Sequence, residues 1–195
     1  MGKIIVATHN KIKFQEYESL LSQVNFDLVS LFNTNISQVH DEIGNSYLDI
    51  AKNKAEFYSK YTKLPVIADT SGLEIHALRG FPGIYSHRWM KGTFEEINNS
   101  LLEKMRNIKD RLANLLVIIV YLNKKNFVYF EGKIKVEIAY KAQGVLGFGY
   151  DPIIYIPEKK RTLGQIPLFE RNQISHRAIA LQKLASFLRK YKPPS

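Results

Sequence analysis

The segment at residues 66–73 constrains the fold more than any other stretch of this chain. It reads Val-Ile-Ala-Asp-Thr-Ser-Gly-Leu and follows Pro65, so three apolar residues precede a carboxylate, two hydroxyls and a glycine. A short apolar run bounded in this way is typical of a buried strand. Because ligands of open α/β folds bind beyond the carboxyl ends of strands, we expect Asp69, Thr70 and Ser71 to lie at such an edge. The alternative is an ordinary turn whose side chains satisfy local backbone amides.

Three further polar clusters, at residues 8–13, 147–152 and 175–177, also lie next to strand-like or helix-like patterns. Their recurrence favours a site assembled from several parts of the chain over an isolated turn. The chain has 195 residues, of which 45% are hydrophobic, so it can bury a core as one domain. We therefore predict a single domain over residues 1–195.

Several classes of protein are disfavoured by composition. The longest apolar run covers residues 115–122, well short of the roughly 20 apolar residues that a membrane-spanning helix needs. The first residues enter a strand pattern and show no signal-peptide core. The absence of cysteine excludes disulfides and thiolate metal sites and agrees with a reducing compartment. We expect a cytoplasmic protein without a membrane partner.

The formal net charge of +10 raises the possibility of nucleic-acid binding. The lysines are scattered along the chain, however, and the densest groups are only residues 124–125 and 159–161. Scattered lysine is typical of a solvated surface, and a general excess of positive charge also attracts small polyanions. A nucleic-acid partner is therefore the weaker hypothesis.

The cluster at residues 8–13 lies between a strand predicted at residues 3–7 and a helix. Its members are Thr8, His9, Asn10, Lys11, Ile12 and Lys13. A helix N-terminus offers free backbone N–H groups and Lys13 adds a full positive charge, a combination that suits phosphate. The alternative is that Thr8 or Asn10 only caps the helix.

Asp41 and Glu42 form a pair of carboxylates before a second predicted helix, whose apolar positions begin at Tyr47. Acidic residues before a helix are favoured electrostatically whatever their function. We expect them to be metal ligands only if Asp69 lies nearby.

The remaining patterns predict further helices and strands. A capping box at Thr93 and Glu96 opens a helix. The predicted strands lie at residues 27–31, 115–122, 127–131, 134–140 and 153–156, with a hairpin turn at 123–126 and a final helix over residues 178–188. Helical spacing predicts an apolar face on the first helix and another on the final one. The first face comprises Phe14, Tyr17, Leu21 and Val24, and the second comprises Ala178, Leu181, Leu184, Ala185 and Leu188.

The cluster at residues 147–152 alternates glycine with aromatic residues in Gly-Phe-Gly-Tyr-Asp-Pro. Such a segment brings backbone close to a flat ligand while a ring stacks on it, and a tight turn with packed aromatics is the alternative. Ser175, His176 and Arg177 stand before the final helix. His176 and Arg177 could donate hydrogen bonds to a ligand carbonyl, or Ser175 could simply cap the helix.

Four of these segments together resemble one known family. In order, they read ATHNKIKFQE, ADTSGLEIHALRGFPGIYS, GFGYDPI and ISHRAIAL. Over about residues 3–188 the chain resembles the inosine triphosphate pyrophosphatases, which hydrolyse non-canonical purine nucleoside triphosphates. The resemblance implies an elongated, two-lobed α/β fold with a central mixed sheet, flanking helices and a nucleotide cleft between the lobes. It also implies a homodimer and Mg²⁺-dependent hydrolysis of ITP, dITP and XTP to the monophosphate and pyrophosphate.

The resemblance also implies roles for individual residues. Residues 8–13 match a phosphate-binding segment, Asp41 and Glu42 match an acidic pair for Mg²⁺, and Ser71 matches the serine after the central acidic group. The base-binding residues are implied to be Phe148, Gly149, Tyr150, Asp151, His176 and Arg177. Donors from His176 or Arg177 would favour a 6-carbonyl over the 6-amino group of adenine.

Thr70 departs from the family pattern, which places the catalytic aspartate at that position. Arg171 likewise stands for a substrate-binding lysine, and keeps the charge without being equivalent to it. Two hypotheses follow. In the first, Asp69 with Asp41 or Glu42 supports Mg²⁺ in an active pyrophosphatase. In the second, a weakened homologue binds purine nucleotides without efficient turnover.

Overall fold

The computed structural model describes residues 2–190. Within that range it contains seven strands and five α-helices, besides short 3₁₀ turns. The strands are β1 (Gly2–Val6), β2 (Phe26–Ser30), β3 (Val66–Ile75), β4 (Leu112–Asn123), β5 (Asn126–Ile138), β6 (Ile154–Ile156) and β7 (Arg161–Thr162). The helices are α1 (Lys11–Leu20), α2 (Tyr47–Ser59), α3 (Phe94–Lys104), α4 (Leu168–Ile174) and α5 (His176–Lys190).

The strands form one mixed sheet in the order β2-β1-β3-β4-β5-β6-β7. Strand β1 pairs in parallel with β2 and with β3, whereas β6 pairs antiparallel with β5 and with β7. Parallel neighbours require crossover connections, which α1 and α2 supply by their places in the chain order. The predicted α/β class and mixed sheet are thereby confirmed.

The chain divides into two compact units. In the described range, unit 1 comprises residues 2–70, 117–132 and 177–190. Its core combines alternate residues of the strands with the apolar faces of α1 and α5. The fully buried members are Ile4, Val6, Tyr17, Ile67, Val117, Ile119, Ala180, Leu181 and Leu184. The predicted apolar faces of these two helices are thus the faces that pack.

Unit 2 comprises residues 71–116 and 133–176. It has a separate apolar core, to which α3 contributes. The most deeply buried members are Leu73, Ile75, Leu101, Met105, Ala113, Val136, Ile138, Ile153, Leu163 and Ile166. Trp89 and Tyr150 pack against this core while remaining partly exposed.

Side-chain caps explain where three helices begin. Asn10 accepts from the backbone N–H of Lys13, and Ser46 accepts from that of Asp49. Thr93 and Glu96 form the predicted capping box at α3, with both reciprocal hydrogen bonds present. Caps satisfy backbone donors that the first helical turn leaves free.

The prediction for the segment after Val66 was wrong in one respect. Strand β3 does not end before Asp69 but continues to Ile75, so Asp69, Thr70 and Ser71 lie inside a buried strand. The reason is tertiary, because polar side chains are tolerated in a central strand when charged partners meet them there.

Two other boundaries also differ from the prediction. Residues 126–138 form one continuous strand where two were predicted, and α5 begins at His176, so that His176 and Arg177 lie within its first turn. Strand β5 is uninterrupted because the hydrogen bonds between strands are made by backbone groups and do not require side chains to alternate between polar and apolar. No helix within residues 2–190 is long and apolar enough to span a membrane.

Candidate active site

The start of α1 orders the segment predicted to bind phosphate. Thr8 Oγ1 accepts from the backbone N–H of Asn10 at 3.1 Å, and Asn10 Oδ1 accepts from the N–H of Lys13 at 3.0 Å. Asn10 is therefore a helix cap, as the alternative interpretation held. Thr8 and Lys13 are buried, whereas His9, Lys11 and Ile12 are exposed. Of the six residues, Lys13 is the buried one that carries a charge.

A cluster of buried charges surrounds Asp69 in unit 1. Lys13 Nζ lies 3.1 Å from Asp69 Oδ2 and 3.3 Å from Oδ1. Arg177 Nε lies 3.8 Å from Oδ2, and Lys54 Nζ donates to the backbone carbonyl of Asp69 at 3.3 Å. Asp69 thus meets three cations, Lys13 and Arg177 at its carboxylate and Lys54 at its backbone carbonyl.

Glu16 supplies the second carboxylate of this region. Its Oε2 accepts from Arg177 Nη1 at 2.7 Å, and both side chains are at most 5% exposed. Lys13, Glu16, Lys54, Asp69 and Arg177 are called the charge cluster below. Three cations and two carboxylates give the charge cluster one net positive charge. Because most of the cluster is buried, Coulomb interactions within it are strong.

The surrounding charges shift the pKa values of Asp69 and Lys13. Burial opposes ionisation of Asp69, but the nearby charges of Lys13, Lys54 and Arg177 outweigh it and hold the pKa of Asp69 well below its ordinary value. Burial lowers the pKa of Lys13, and Asp69 partly restores it. Asp69 is accordingly ionised at neutral pH, and a carboxylate with so low a pKa accepts a proton poorly.

Two hydroxyls beside the charge cluster are buried. Thr70 follows Asp69 in β3, and Tyr17 lies close enough to Asp69, Arg177 and Glu16 to interact with their charges. Neither Thr70 Oγ1 nor Tyr17 OH makes a hydrogen bond within residues 2–190. Buried polar groups of this kind are usually satisfied by water or by a ligand.

The acidic pair predicted to bind metal lies in the segment before α2. Asp41 is exposed and Glu42 is half-buried, and both interact electrostatically with His40, as does Lys54. In the part of the chain that the structure describes, no three His, Cys, Asp or Glu side chains are grouped so as to hold a metal ion. Magnesium in phosphate-handling enzymes is usually held by one or two carboxylates together with the phosphates themselves. Asp69 and Glu42 are carboxylates of the kind that this arrangement needs, and Asp69 Oδ2 is paired with Lys13 Nζ at 3.1 Å.

Residues 147–151, called the aromatic segment below, belong to unit 2 and form a turn that a local hydrogen bond closes. Asp151 Oδ2 accepts from the backbone N–H of Phe148 at 2.9 Å and pairs with Arg171 Nη1 at 3.1 Å. Gly147 has φ +82°, and a Cβ there would overlap the side chains of both Asp151 and Arg171. Glycine is therefore required at this position for the ion pair to form beneath the segment.

Arg171 lies on α4 and is 4% exposed. Its ion pair with Asp151 links it to the aromatic segment, within the same unit. His176 is also buried, and Ser71 sits in the second half of β3. The structure thus brings Lys13, Asp69 and Arg177 together in unit 1, and Phe148, Asp151 and Arg171 together in unit 2.

Comparison with known proteins agrees with this geometry. The model of the Ham1 family matches residues 4–187. This chain belongs to the Ham1 family. It is 38% identical over 194 residues to a dITP/XTP pyrophosphatase of Dictyoglomus thermophilum, covering 96% of this chain and 95% of that protein. It is 36% identical over 200 residues to a dITP/XTP pyrophosphatase of Clostridium perfringens, covering 97% and 98%. A HAM1 protein from Coxiella burnetii has a similar structure, with a TM-score of 0.89, 32% identity and coverage of 98% of this chain and 100% of that one.

Four site residues of this Ham1 family member were not predicted. Glu16 and Lys54 complete the charge cluster, and Trp89 and Asn98 contact the aromatic segment. Helical spacing offered a signal for two of them, because Glu16 lies three residues after buried Lys13 and Lys54 lies three residues after buried Ala51. Trp89 and Asn98 had no local signal, since their partners lie more than 50 residues away in the sequence.

Proposed function

We propose that this protein hydrolyses the non-canonical purine nucleoside triphosphates ITP, dITP and XTP to monophosphate and pyrophosphate. The observation that carries the proposal is the charge cluster, in which Lys13, Lys54 and Arg177 converge on Asp69. Its excess positive charge suits a polyphosphate, and two relatives that span nearly the whole chain are dITP/XTP pyrophosphatases.

The reaction is a displacement at the α-phosphorus. Water forms the new bond to phosphorus and gives up a proton to solvent, the bond to the α–β bridging oxygen breaks, and pyrophosphate leaves with that bonding pair. Negative charge accumulates on the leaving group, so Lys13 and Lys54 would stabilise it and Lys13 would orient it. Asp69 would hold the two cations in place, Lys13 through its carboxylate and Lys54 through its backbone carbonyl.

Magnesium is part of the proposal. Asp69 and Glu42, with Asp41 nearby in sequence, are the carboxylates that would hold it, and the bound ion would offset phosphate charge.

A homodimer, a cytoplasmic location and a single functional domain over residues 1–195 also belong to the proposal. Sedimentation of the purified protein, with and without nucleotide, measures the first of these.

The purine is assigned to the aromatic segment and His176. The rings of Phe148 and Tyr150 offer stacking surface, and His176 offers a donor for the 6-carbonyl of hypoxanthine or xanthine. Arg177 was predicted to share that role. Its pairing with Glu16 and its nearness to Asp69 favour instead a contribution to the charge cluster.

The proposal is tested by measuring pyrophosphate release from ITP, XTP, ATP and GTP with and without Mg²⁺. We expect metal-dependent release from ITP and XTP in preference to the canonical nucleotides. Equal release from ATP would contradict the assigned specificity, and release of inorganic phosphate alone would contradict cleavage at the α-phosphorus.

A second candidate is a weakened homologue that binds purine nucleotides without efficient turnover. It is favoured by Thr70, which is neutral at pH 7 and buried next to Asp69. If it is correct, Thr70→Asp raises kcat by about 10²- to 10⁴-fold, the usual contribution of a general base.

Thr70→Asn is the matched control, because it has nearly the same shape as the aspartate and no charge. If the unmodified protein already hydrolyses ITP rapidly and Thr70→Asp gives no gain over Thr70→Asn, the second candidate is wrong.

A further inference from the structure

The hydroxyl of Tyr150 is fixed by two hydrogen bonds within unit 2. Trp89 Nε1 donates to it at 2.6 Å, and the hydroxyl in turn donates to the backbone carbonyl of Ser86 at 2.7 Å. Ser86 is itself anchored, because its Oγ donates to the carbonyl of Gly83 and accepts from the N–H of Leu73. A buried strand thus sets the position of Tyr150 through a chain of hydrogen bonds.

The backbone of the aromatic segment is fixed one residue earlier. Asn98 Nδ2, on α3, donates to the carbonyl of Gly149 at 3.0 Å, and Asn98 is 3% exposed. Gly149 has a left-handed backbone conformation, with φ +63°, and its carbonyl accepts this hydrogen bond from a helix side chain. Trp89 is held in turn by an edge-to-face contact with Phe81, with ring centroids 5.1 Å apart.

We propose that Trp89 and Asn98 are positioning residues that hold the rings of Phe148 and Tyr150 ready for a purine base. The proposal rests on the function proposed above. It assigns the base preference of the site partly to residues that do not touch the nucleotide.

The hydrogen bonds also determine what Tyr150 can offer a ligand. A phenol has one donor proton, and Ser86 already accepts it, while Trp89 occupies an acceptor position. Tyr150 therefore presents its ring face to a base and keeps its hydroxyl directed into the protein. Base recognition through the hydroxyl of Tyr150 is not expected.

Losing either anchor lowers the fraction of protein in which the segment is correctly placed. The apparent dissociation constant rises in inverse proportion to that fraction. The loss of one net hydrogen bond corresponds to about a 5- to 10-fold rise. We expect weaker binding of ligands that contain the base, and unchanged binding of ligands that contain only phosphate.

The first test is a double-mutant cycle with Trp89→Phe and Tyr150→Phe. We expect Trp89→Phe to raise the KM for ITP and the dissociation constant of inosine by about 5- to 10-fold, with kcat and pyrophosphate affinity changed less than twofold. In the Tyr150→Phe background the same substitution is expected to have little further effect, since the hydroxyl through which it acts is gone. Tyr85→Phe is the control, because that ring is 54% exposed.

The second test compares Asn98→Leu with Asn99→Leu. Asn98 is buried against the aromatic segment and Asn99 is exposed on the same helix. We expect only Asn98→Leu to weaken inosine binding, by about 5- to 10-fold, with pyrophosphate affinity retained. The single tryptophan of the sequence, Trp89, reports binding by its fluorescence in both variants. An unchanged urea-unfolding midpoint shows that the variants are folded.

Several outcomes would overturn the proposal. These are equal losses of inosine and pyrophosphate affinity, additive effects in the double-mutant cycle, or failure of the unmodified protein to bind inosine. Inosine binding does not require turnover. If ITP is not hydrolysed but the inosine effects appear as described, the proposed function fails while the positioning roles stand.

Discussion

The charge cluster and the aromatic segment are built from different kinds of interaction. The charge cluster joins five charged side chains, four of which are buried. The aromatic segment has one ion pair, between Asp151 and Arg171, and is otherwise held by the uncharged donors of Trp89 and Asn98, while the rings of Phe148 and Tyr150 remain partly exposed. The first region is suited to a ligand of high charge, and the second to a flat ligand that carries none.

The two regions also differ in what a substitution does to them. Removing one member of a buried ion pair leaves the other charge uncompensated, so substitutions in the charge cluster are expected to affect folding as well as binding. Substitution of an uncharged residue such as Trp89 leaves no uncompensated charge in the protein. Their loss is expected to loosen a segment without unfolding the unit.

The largest expected effect is the loss of stability in Glu16→Gln, which leaves Arg177 buried without its carboxylate partner. We expect the free energy of unfolding to fall by about 3 kcal/mol, measured by urea denaturation. Glu18→Gln on the same helix is the control, because Glu18 is exposed, and its effect is expected to stay within about 0.5 kcal/mol. Similar effects for both variants would show that the charge cluster is not energetically distinct.

The next largest effect concerns binding in Lys13→Ala. We expect pyrophosphate and ITP affinity to fall by about 10- to 100-fold, as for loss of a charged hydrogen bond, with inosine affinity nearly unchanged. Isothermal titration with the three ligands measures the difference. Lys11→Ala is the control, because Lys11 is exposed two residues earlier. An equal loss of inosine affinity would contradict the proposal that the charge cluster binds phosphate and the aromatic segment binds the base.

The smallest effect is a pH dependence of stability that belongs to the aromatic segment. Burial raises the pKa of Tyr150 from 10.0 to about 12, an effect that the hydrogen bond from Trp89 opposes. Since the unfolded chain loses this proton first, the contribution of Tyr150 is fully present below pH 10 and is lost as the pH rises to about 12.

Urea denaturation across that pH range, compared with Tyr150→Phe, measures the contribution. We expect the unmodified protein to lose more stability than the variant between pH 10 and 12, since the phenylalanine has no proton to lose. Parallel curves would show that the hydroxyl is not held as described.

Local patterns predicted several features correctly. The capping box at Thr93, the buried face of α1 and the α/β class follow from spacing and capping chemistry that involve near neighbours in the chain. The four motifs also indicated the family, because their order along the chain is itself a property of the sequence. These features need no knowledge of which distant residues meet.

Other features depended on contacts between distant residues. Strand β3 continues through Asp69 because cations from α1 and α5 meet its carboxylate, and Arg177 lies 161 residues from Glu16, with which it pairs. Trp89 is likewise 61 residues from the hydroxyl that it holds. The sequence by itself determined four of the five helices, the capping box of α3 and the residue types available for phosphate and base, whereas α4 was not predicted. Only the tertiary structure decided which charges share one buried volume, because burial and pairing are properties of the packed chain and not of any segment in it.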